Sequence, residues 1–338
     1  MQQTQFLRKW DIIKRRGLGD HMEVIAIGES LVSLTPKSAG FLRHATGLTP
    51  RVAGSETNVL IGLSRLGHST GWISKLGNDE WGKMVLSKVK GEGIDTSQVL
   101  LDASHPTGIF FKEILHDSDV RISYYRENSA ASTMSTKDLD ESYFENSKYL
   151  FITGITPALS ENCKDTIFQA IDLAKAQNLT IVFDPNIRRK LWAEDIAKKT
   201  ILDIAKKVDI VLPGINEGFF LFGTKDHTKI ADHFLSLGVS MVVVKLGEKG
   251  AYYCTDDESD LVPAYQIKQE VDPVGAGDGF AAGLMSGLLD NLGYYESVKR
   301  ACFVGALATT IEGDYEGLPD RDLLNEMLDA NKLDNVNR

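Results

Sequence analysis

Asp272-Pro-Val-Gly-Ala-Gly-Asp-Gly-Phe280 runs directly into AAGLMSGLL (281–289), a stretch of helical composition rich in Ala, Gly and Leu. Small residues at the head of a helix leave consecutive backbone N–H groups accessible, and the helix dipole adds positive potential to them. That combination makes an anion site. Asp278 places a negative charge beside it, which a site that only holds phosphate would not need. An Asp there makes chemical sense as a general base. It would take the proton from an attacking hydroxyl while the amides of Gly275, Ala276 and Gly277 stabilise charge on the transferred group. The plainer alternative is a Gly-rich turn with Asp278 as a helix cap.

Outward from this motif, between Met22 and about residue 330, short β-branched runs alternate with amphipathic stretches of helix length. This is the pattern of an α/β sheet with helices on both faces. Strands are expected at 23–27, 70–75, 149–153, 180–184, 209–212 and 240–245. Helices are expected at 56–66, 79–90, 160–177, 194–207, 227–237, 276–290 and 294–311. TIVFD (180–184) and MVVVK (241–245) are almost continuously apolar, as strands buried on both faces should be. The expected fold class is therefore α/β, a three-layer α/β/α open sheet, parallel or mixed. Residues 31–52 and 98–126 interrupt the rhythm with segments such as FLRHATGL, TGIFFKEI and RISYY. They predict a small antiparallel sheet covering the crevice beyond the carboxyl ends of the strands as a lid. One domain spans 22–330 in this reading, with 331–338 as a tail.

Composition removes several function classes. The 338 residues carry 37 Lys and Arg against 47 Asp and Glu, a net charge of −10, and this argues against nucleic-acid or anionic-membrane partners, which need a positive field. Cys163, Cys254 and Cys302 lie far apart and follow no zinc or disulfide spacing, so a cytoplasmic location is the simplest expectation. No apolar run reaches the length of a membrane span. The first 21 residues hold +3, which leaves −13 for the rest. They are expected to be a disordered extension or a start assigned too early, because Met22 directly precedes an apolar strand. A mitochondrial-type presequence is the rival, weakened by few Ser residues and two acids.

Other phosphate motifs fail. Gly77-Asn-Asp-Glu-Trp-Gly-Lys-Met84 has the glycines and lysine of a Walker A loop, but Met84 stands at the magnesium-binding hydroxyl, and Asp79 and Glu80 would repel phosphate. A strand-to-helix turn capped by Asn78 or Asp79 fits better. No G-x-G-x-x-G follows a strand, so a dinucleotide-binding dehydrogenase is not supported.

DPVGAGDGF resembles the C-terminal D-T-x-G-A-G-D signature of the ribokinase-like (PfkB) carbohydrate kinases, with Pro273 at the usual Thr. VAGSETNVLIGLSRLG (52–67) is similar to that family's N-terminal G-G-x-x-x-N-x-A-x-x-x-x-x-L-G signature, with Ala53 and Val59 as departures, and GNDEWG matches its G-x-D-x-x-G turn. The resemblance implies ATP-dependent phosphorylation of a sugar hydroxyl, with Asp278 as base and Gly275, Ala276, Gly277 and Asp278 as the anion hole. It also implies that Lys245, Gly247, Lys249 and Gly250 lie along the nucleotide with Asn186 and Arg188, and that 302–310 flanks the adenine. On spacing alone the Lys245–Gly250 segment reads equally as a β-hairpin turn. Mg²⁺ would lie near Glu217, although Gly214 replaces the Asn of the family's N-x-x-E element and Asn216 is the neighbouring candidate. The resemblance further admits a monovalent cation.

The arginines bear on substrate. A guanidinium fork matches a carboxylate, whereas a neutral sugar needs only uncharged partners. Arg126 follows Tyr124 and Tyr125 on a lid-like strand, and Arg188 follows a core strand; surface salt bridges, or ATP phosphates for Arg188, are the alternatives. IGES (27–30), AGSETN (53–58), YYRENSAAS (124–132), FITGITPALS (151–160), DPNIRRKLW (184–192) and GDYEGLP (313–319) resemble the 2-keto-3-deoxygluconate kinase branch most. That resemblance places Gly54, Ser55, Asn58, Phe110, Tyr124, Arg126, Arg188, Asp278 and Asp314 around a sugar acid, with Phe110 where some relatives carry Tyr. It implies phosphorylation of 2-dehydro-3-deoxy-D-gluconate at the 6-hydroxyl, and a homo-oligomer assembled through the lid. The alternatives are a kinase of a neutral sugar or nucleoside, and a regulator that binds without turnover.

Overall fold

Strands that are apolar along their whole length need cover on both faces, and the fold supplies it. The computed structural model describes residues 22–115 and 120–327; the expected extension 1–21 and tail 331–338 lie outside the described residues. Numbered in chain order, the main sheet contains β1 (Val24–Ile27), β4 (Thr70–Gly77), β5 (Val99–Asp102), β8 (Tyr149–Thr153), β9 (Thr180–Asp184), β10 (Ile210–Val211), β11 (Met241–Lys245), β12 (Ala251–Thr255) and β13 (Ser259–Val262). Their order is β13-β12-β11-β10-β9-β8-β1-β4-β5. Every neighbouring pair from β11 to β5 is parallel, and β12 and β13 add an antiparallel edge.

Side chains alternate between the two faces along each strand. Val24 and Ala26 of β1 and Val243 of β11 pack with α1 (Ser55–Arg65), α2 (Glu80–Gly91), α7 (Ala276–Leu289) and α8 (Tyr294–Ala308). Ile25 and Ile27, with Val242 and Val244, pack on the other face with α3 (Glu161–Ala176), α4 (Glu194–Ala205), α5 (Ile215–Phe222) and α6 (His227–Leu235). These strand residues are all fully buried. Each such Val or Ile contributes about 1.5–3 kcal/mol relative to exposure, which is why the three-layer arrangement holds. Asp79 caps α2, its Oδ1 accepting from Gly82 N at 2.7 Å and its Oδ2 from Thr107 N at 2.8 Å. GNDEWG is thus a strand-to-helix turn. Among the described residues, no helix is long and apolar enough to cross a membrane.

The second sheet contains β2 (Leu31–Pro36), β3 (Leu48–Ala53), β6 (Ile109–Ile114) and β7 (Val120–Tyr125), in the order β3-β2-β6-β7. Two features differ from the sequence expectation. β2 and β6 pair in parallel, so the small sheet is mixed rather than antiparallel. Only part of 98–126 belongs to it, because β5 pairs in parallel with β4 at the edge of the main sheet. β5 closes an ordinary β-α-β crossover through α2, and its Leu100 and Leu101, 42% and 50% exposed on that edge, give it the look of a lid strand.

Candidate active site

Parallel strands deliver their carboxyl ends to one side of a sheet, and here that side carries Glu29 just after β1, Asp184 at the end of β9 and Lys245 at the end of β11. The N-terminus of α7 brings Asp278 to the same place. Between these elements and the small sheet lies a cavity of about 770 Å³.

Asp278 stands in the first turn of α7. Its Oδ1 accepts from Ser55 Oγ at 2.6 Å and its Oδ2 from Asn58 Nδ2 at 2.7 Å, and Asn186 Nδ2 donates to Ser55 Oγ at 2.9 Å. Burial raises the Asp278 pKa, the two side-chain hydrogen bonds and the Arg188 charge oppose that rise, and the Asp184 charge adds to it. The result is a carboxylate moved toward the range where a general base works. Asn186 holds a positive φ of 37°, a strained setting for a residue that points its amide at the site. Two glycines permit the close approach. A Cβ on Gly54, at the head of α1, would lie 2.4 Å from Ser30 Oγ. On Gly275, with φ of 82°, it would lie 1.9 Å from the Asp314 carbonyl oxygen.

The small-sheet side of the cavity presents Phe110, Tyr124 and Arg126, with Leu31, Ala53 and Ile122 around them. The Arg126 guanidinium lies 5.4 Å from the Tyr124 ring centroid and pairs with the fully buried Glu29 carboxylate, which also accepts from Ser129 Oγ at 2.5 Å. Arg126 Nε is buried without a hydrogen-bond partner, and so is Asn58 Oδ1. Arg188 lines the same cavity. So does Asp314, whose pKa burial and the Asp278 charge push up to about 7.

Lys245 Nζ donates to Asp184 Oδ2 at 2.6 Å. Burial would depress the lysine, but Asp184 and Glu217 more than offset it and its pKa is raised. Glu217, in the first turn of α5, accepts from Gly214 N at 2.7 Å and Ile187 N at 2.9 Å; burial, reinforced by Asp184, raises its pKa. Glu217 lines the cavity and Asn216 does not. Lys245 and Gly277 also line a second cavity of about 630 Å³, walled by Gly247, Gly250, Ala276, Cys302 and Gly305. The Lys245–Gly250 segment is the β11–β12 hairpin turn and a cavity wall at once. Lys249, expected along the nucleotide, lines neither cavity.

The structure therefore brings together Gly54, Ser55, Asn58, Phe110, Tyr124, Arg126, Asn186, Arg188, Asp278 and Asp314 in one cavity. It adds two acids to which the sequence reading gave no role, Glu29 and Asp184. Each closes a buried ion pair with an expected cation. Their one sequence signal is position, at the carboxyl ends of buried strands.

Residues 22–321 match the model of the pfkB family carbohydrate kinases. The chain is 40% identical over 313 residues to the 2-dehydro-3-deoxygluconokinase of Bacillus subtilis (strain 168), covering 92% of this chain and 97% of that one. Among solved structures, a PfkB protein from Polaromonas sp. JS666 is 41% identical with a TM-score of 0.83, covering 90% of this chain and 99% of the other. The fructokinase of Vibrio cholerae O395, solved with fructose, ADP and a calcium ion, is 25% identical with a TM-score of 0.81, covering 91% and 99%. With a family model matching over residues 22–321 and a relative 40% identical, the chain belongs to the pfkB family of carbohydrate kinases.

Proposed function

We propose that this chain is an ATP-dependent kinase of a sugar acid, transferring the γ-phosphoryl group to the 6-hydroxyl of 2-dehydro-3-deoxy-D-gluconate. The observation that carries the substrate class is a pair of arginines, Arg126 and Arg188, among the side chains that line the cavity holding Asp278. The B. subtilis relative carries the matching name.

In this reading Gly54, Ser55, Asn58 and Asp314 hold hydroxyls, Phe110 and Tyr124 pack on the sugar, and Arg126 and Arg188 orient the carboxylate. Asp278 takes the proton of the attacking hydroxyl. The amides of Gly275, Ala276, Gly277 and Asp278, with Lys245, offset charge on the transferred group. ATP occupies the second cavity along Gly247 and Gly250, with its phosphates toward Lys245 and Asn186. Glu217, whose two oxygens accept from Ile187 N and Gly214 N, and Asp184, paired with Lys245, are the acids nearest the expected phosphates; Mg²⁺ there would be held mainly by phosphate and water and would supply positive charge. A monovalent cation remains a further ligand of this reading. The protein would work in the cytoplasm, in keeping with three free thiols, and as a homo-oligomer through the lid, whose edge strands are β3 and β7.

One observation favours a neutral sugar instead: Glu29 already offsets the Arg126 charge. Arg126→Lys and Arg188→Lys decide between them. A planar fork lost from a carboxylate contact should raise KM for the acid by about tenfold or more while leaving the fold intact. Unchanged KM in both variants would remove the acid reading.

A further inference from the structure

Lys112 lies on β6 of the lid, two residues beyond Phe110 and therefore on the same face, the one turned to the cavity. Its Nζ donates to Asp272 Oδ2 at 2.6 Å across 160 residues of chain, the two side chains being 9% and 7% exposed. Asp272 also organises the turn ahead of α7. Its Oδ1 accepts from Val274 N at 3.2 Å, its Oδ2 from Gly313 N at 3.4 Å, and its own N–H donates to the Thr309 carbonyl at 3.1 Å. Gly313 precedes Asp314, whose carbonyl lies against Gly275. One lysine on the lid thus holds the carboxylate that ties together both segments bordering the anion site. Glu312 and Asp314 feel the same positive charge. Moving the small sheet away from the body would break this buried ion pair.

We propose that Lys112 is a positioning residue for phosphoryl transfer: its ion pair with Asp272 couples docking of the lid to the setting of the Gly275–Asp278 amides. The anion site is then complete only when the lid lies over the sugar. This rests on the reading of Gly275–Asp278 as the transfer site and goes beyond it, since Lys112 touches neither substrate.

The test uses the full chain with Mg-ATP and whichever sugar the wild type turns over, comparing Lys112→Met, Lys112→Arg and Asp272→Asn with Asp278→Asn as reference. Lys112→Met is expected to lower kcat about 100-fold while both KM values stay within about threefold, because misplacement of the amides acts on the transition state. Lys112→Arg, which keeps the charge, should return kcat to within about tenfold of wild type. Should the Met variant not fold, Asp272→Asn carries the test, with the same kcat loss and unchanged KM expected. Wild-type kcat in the Met variant, a loss confined to KM, or an Arg variant as impaired as the Met variant would overturn the proposal. Full activity in Asp278→Asn would refute the reading of the loop instead, so the two failures are distinguishable.

Discussion

Gly275→Ala is the substitution whose consequence the geometry defines most closely. Gly275 caps α7 at a φ of 82°, a left-handed conformation that costs a residue with a Cβ about 1–2 kcal/mol. The added methyl would also meet the Asp314 carbonyl oxygen at 1.9 Å, where real Cβ atoms keep beyond 3.0 Å, so loop or neighbour must retreat by about 1 Å. That retreat moves the amides of Ala276 and Gly277 relative to Asp278. A displacement of that size at a transfer site costs about 100-fold in rate. Stability should fall by only about 2–3 kcal/mol, because the strain is confined to one turn. Steady-state kinetics by coupled ADP release, with urea unfolding of the same preparation, separates the two effects. A Gly275→Ala enzyme with kcat within about threefold of wild type would refute the claim that these amides must be set this closely.

Two further substitutions probe buried acids. Asp278→Asn should lower kcat by about 10²–10⁴ and abolish the acid limb of the kcat/KM profile. That limb exists because the raised Asp278 pKa leaves less carboxylate as pH falls; an unaltered limb in the variant would assign the base elsewhere. Glu56 is buried with Thr153 Oγ1 at 2.7 Å and Thr156 Oγ1 at 3.1 Å from its Oε1, and burial pushes its pKa up to about 7. A folded pKa above the ordinary 4.5 means its stabilising contribution is full below about 4.5 and lost as pH rises through 7. The loss is on the order of 3 kcal/mol. Glu56→Gln should flatten that dependence in urea unfolding between pH 4 and 8, and a parallel curve for wild type and variant would contradict it.

How far the sequence discloses the molecule follows from which interactions are local. Continuous apolar runs mark β9 and β11, and the Asp272–Phe280 motif marks the head of α7, because burial on two faces and helix capping leave short-range patterns. α5 escapes, since INEGFFLF is only eight residues and too uniformly apolar to show a period. β13 escapes because an edge strand such as SDLV needs no apolar face. The parallel pairing of β2 with β6 depends on register between segments over seventy residues apart. The site divides in the same way. Ser55, Asn58 and Asp278 are legible as motif residues. The Glu29–Arg126, Asp184–Lys245 and Lys112–Asp272 pairs are not, because each joins residues 61 to 160 positions apart through the fold alone.

The central claim is that this kinase acts on a sugar acid. Its most direct measurement is kcat/KM with Mg-ATP for 2-dehydro-3-deoxy-D-gluconate beside fructose and ribose, with ³¹P NMR locating the new phosphate. A kinase of this kind should prefer the acid by about 100-fold or more and phosphorylate its 6-hydroxyl. Turnover of fructose or ribose with none of the acid would contradict it.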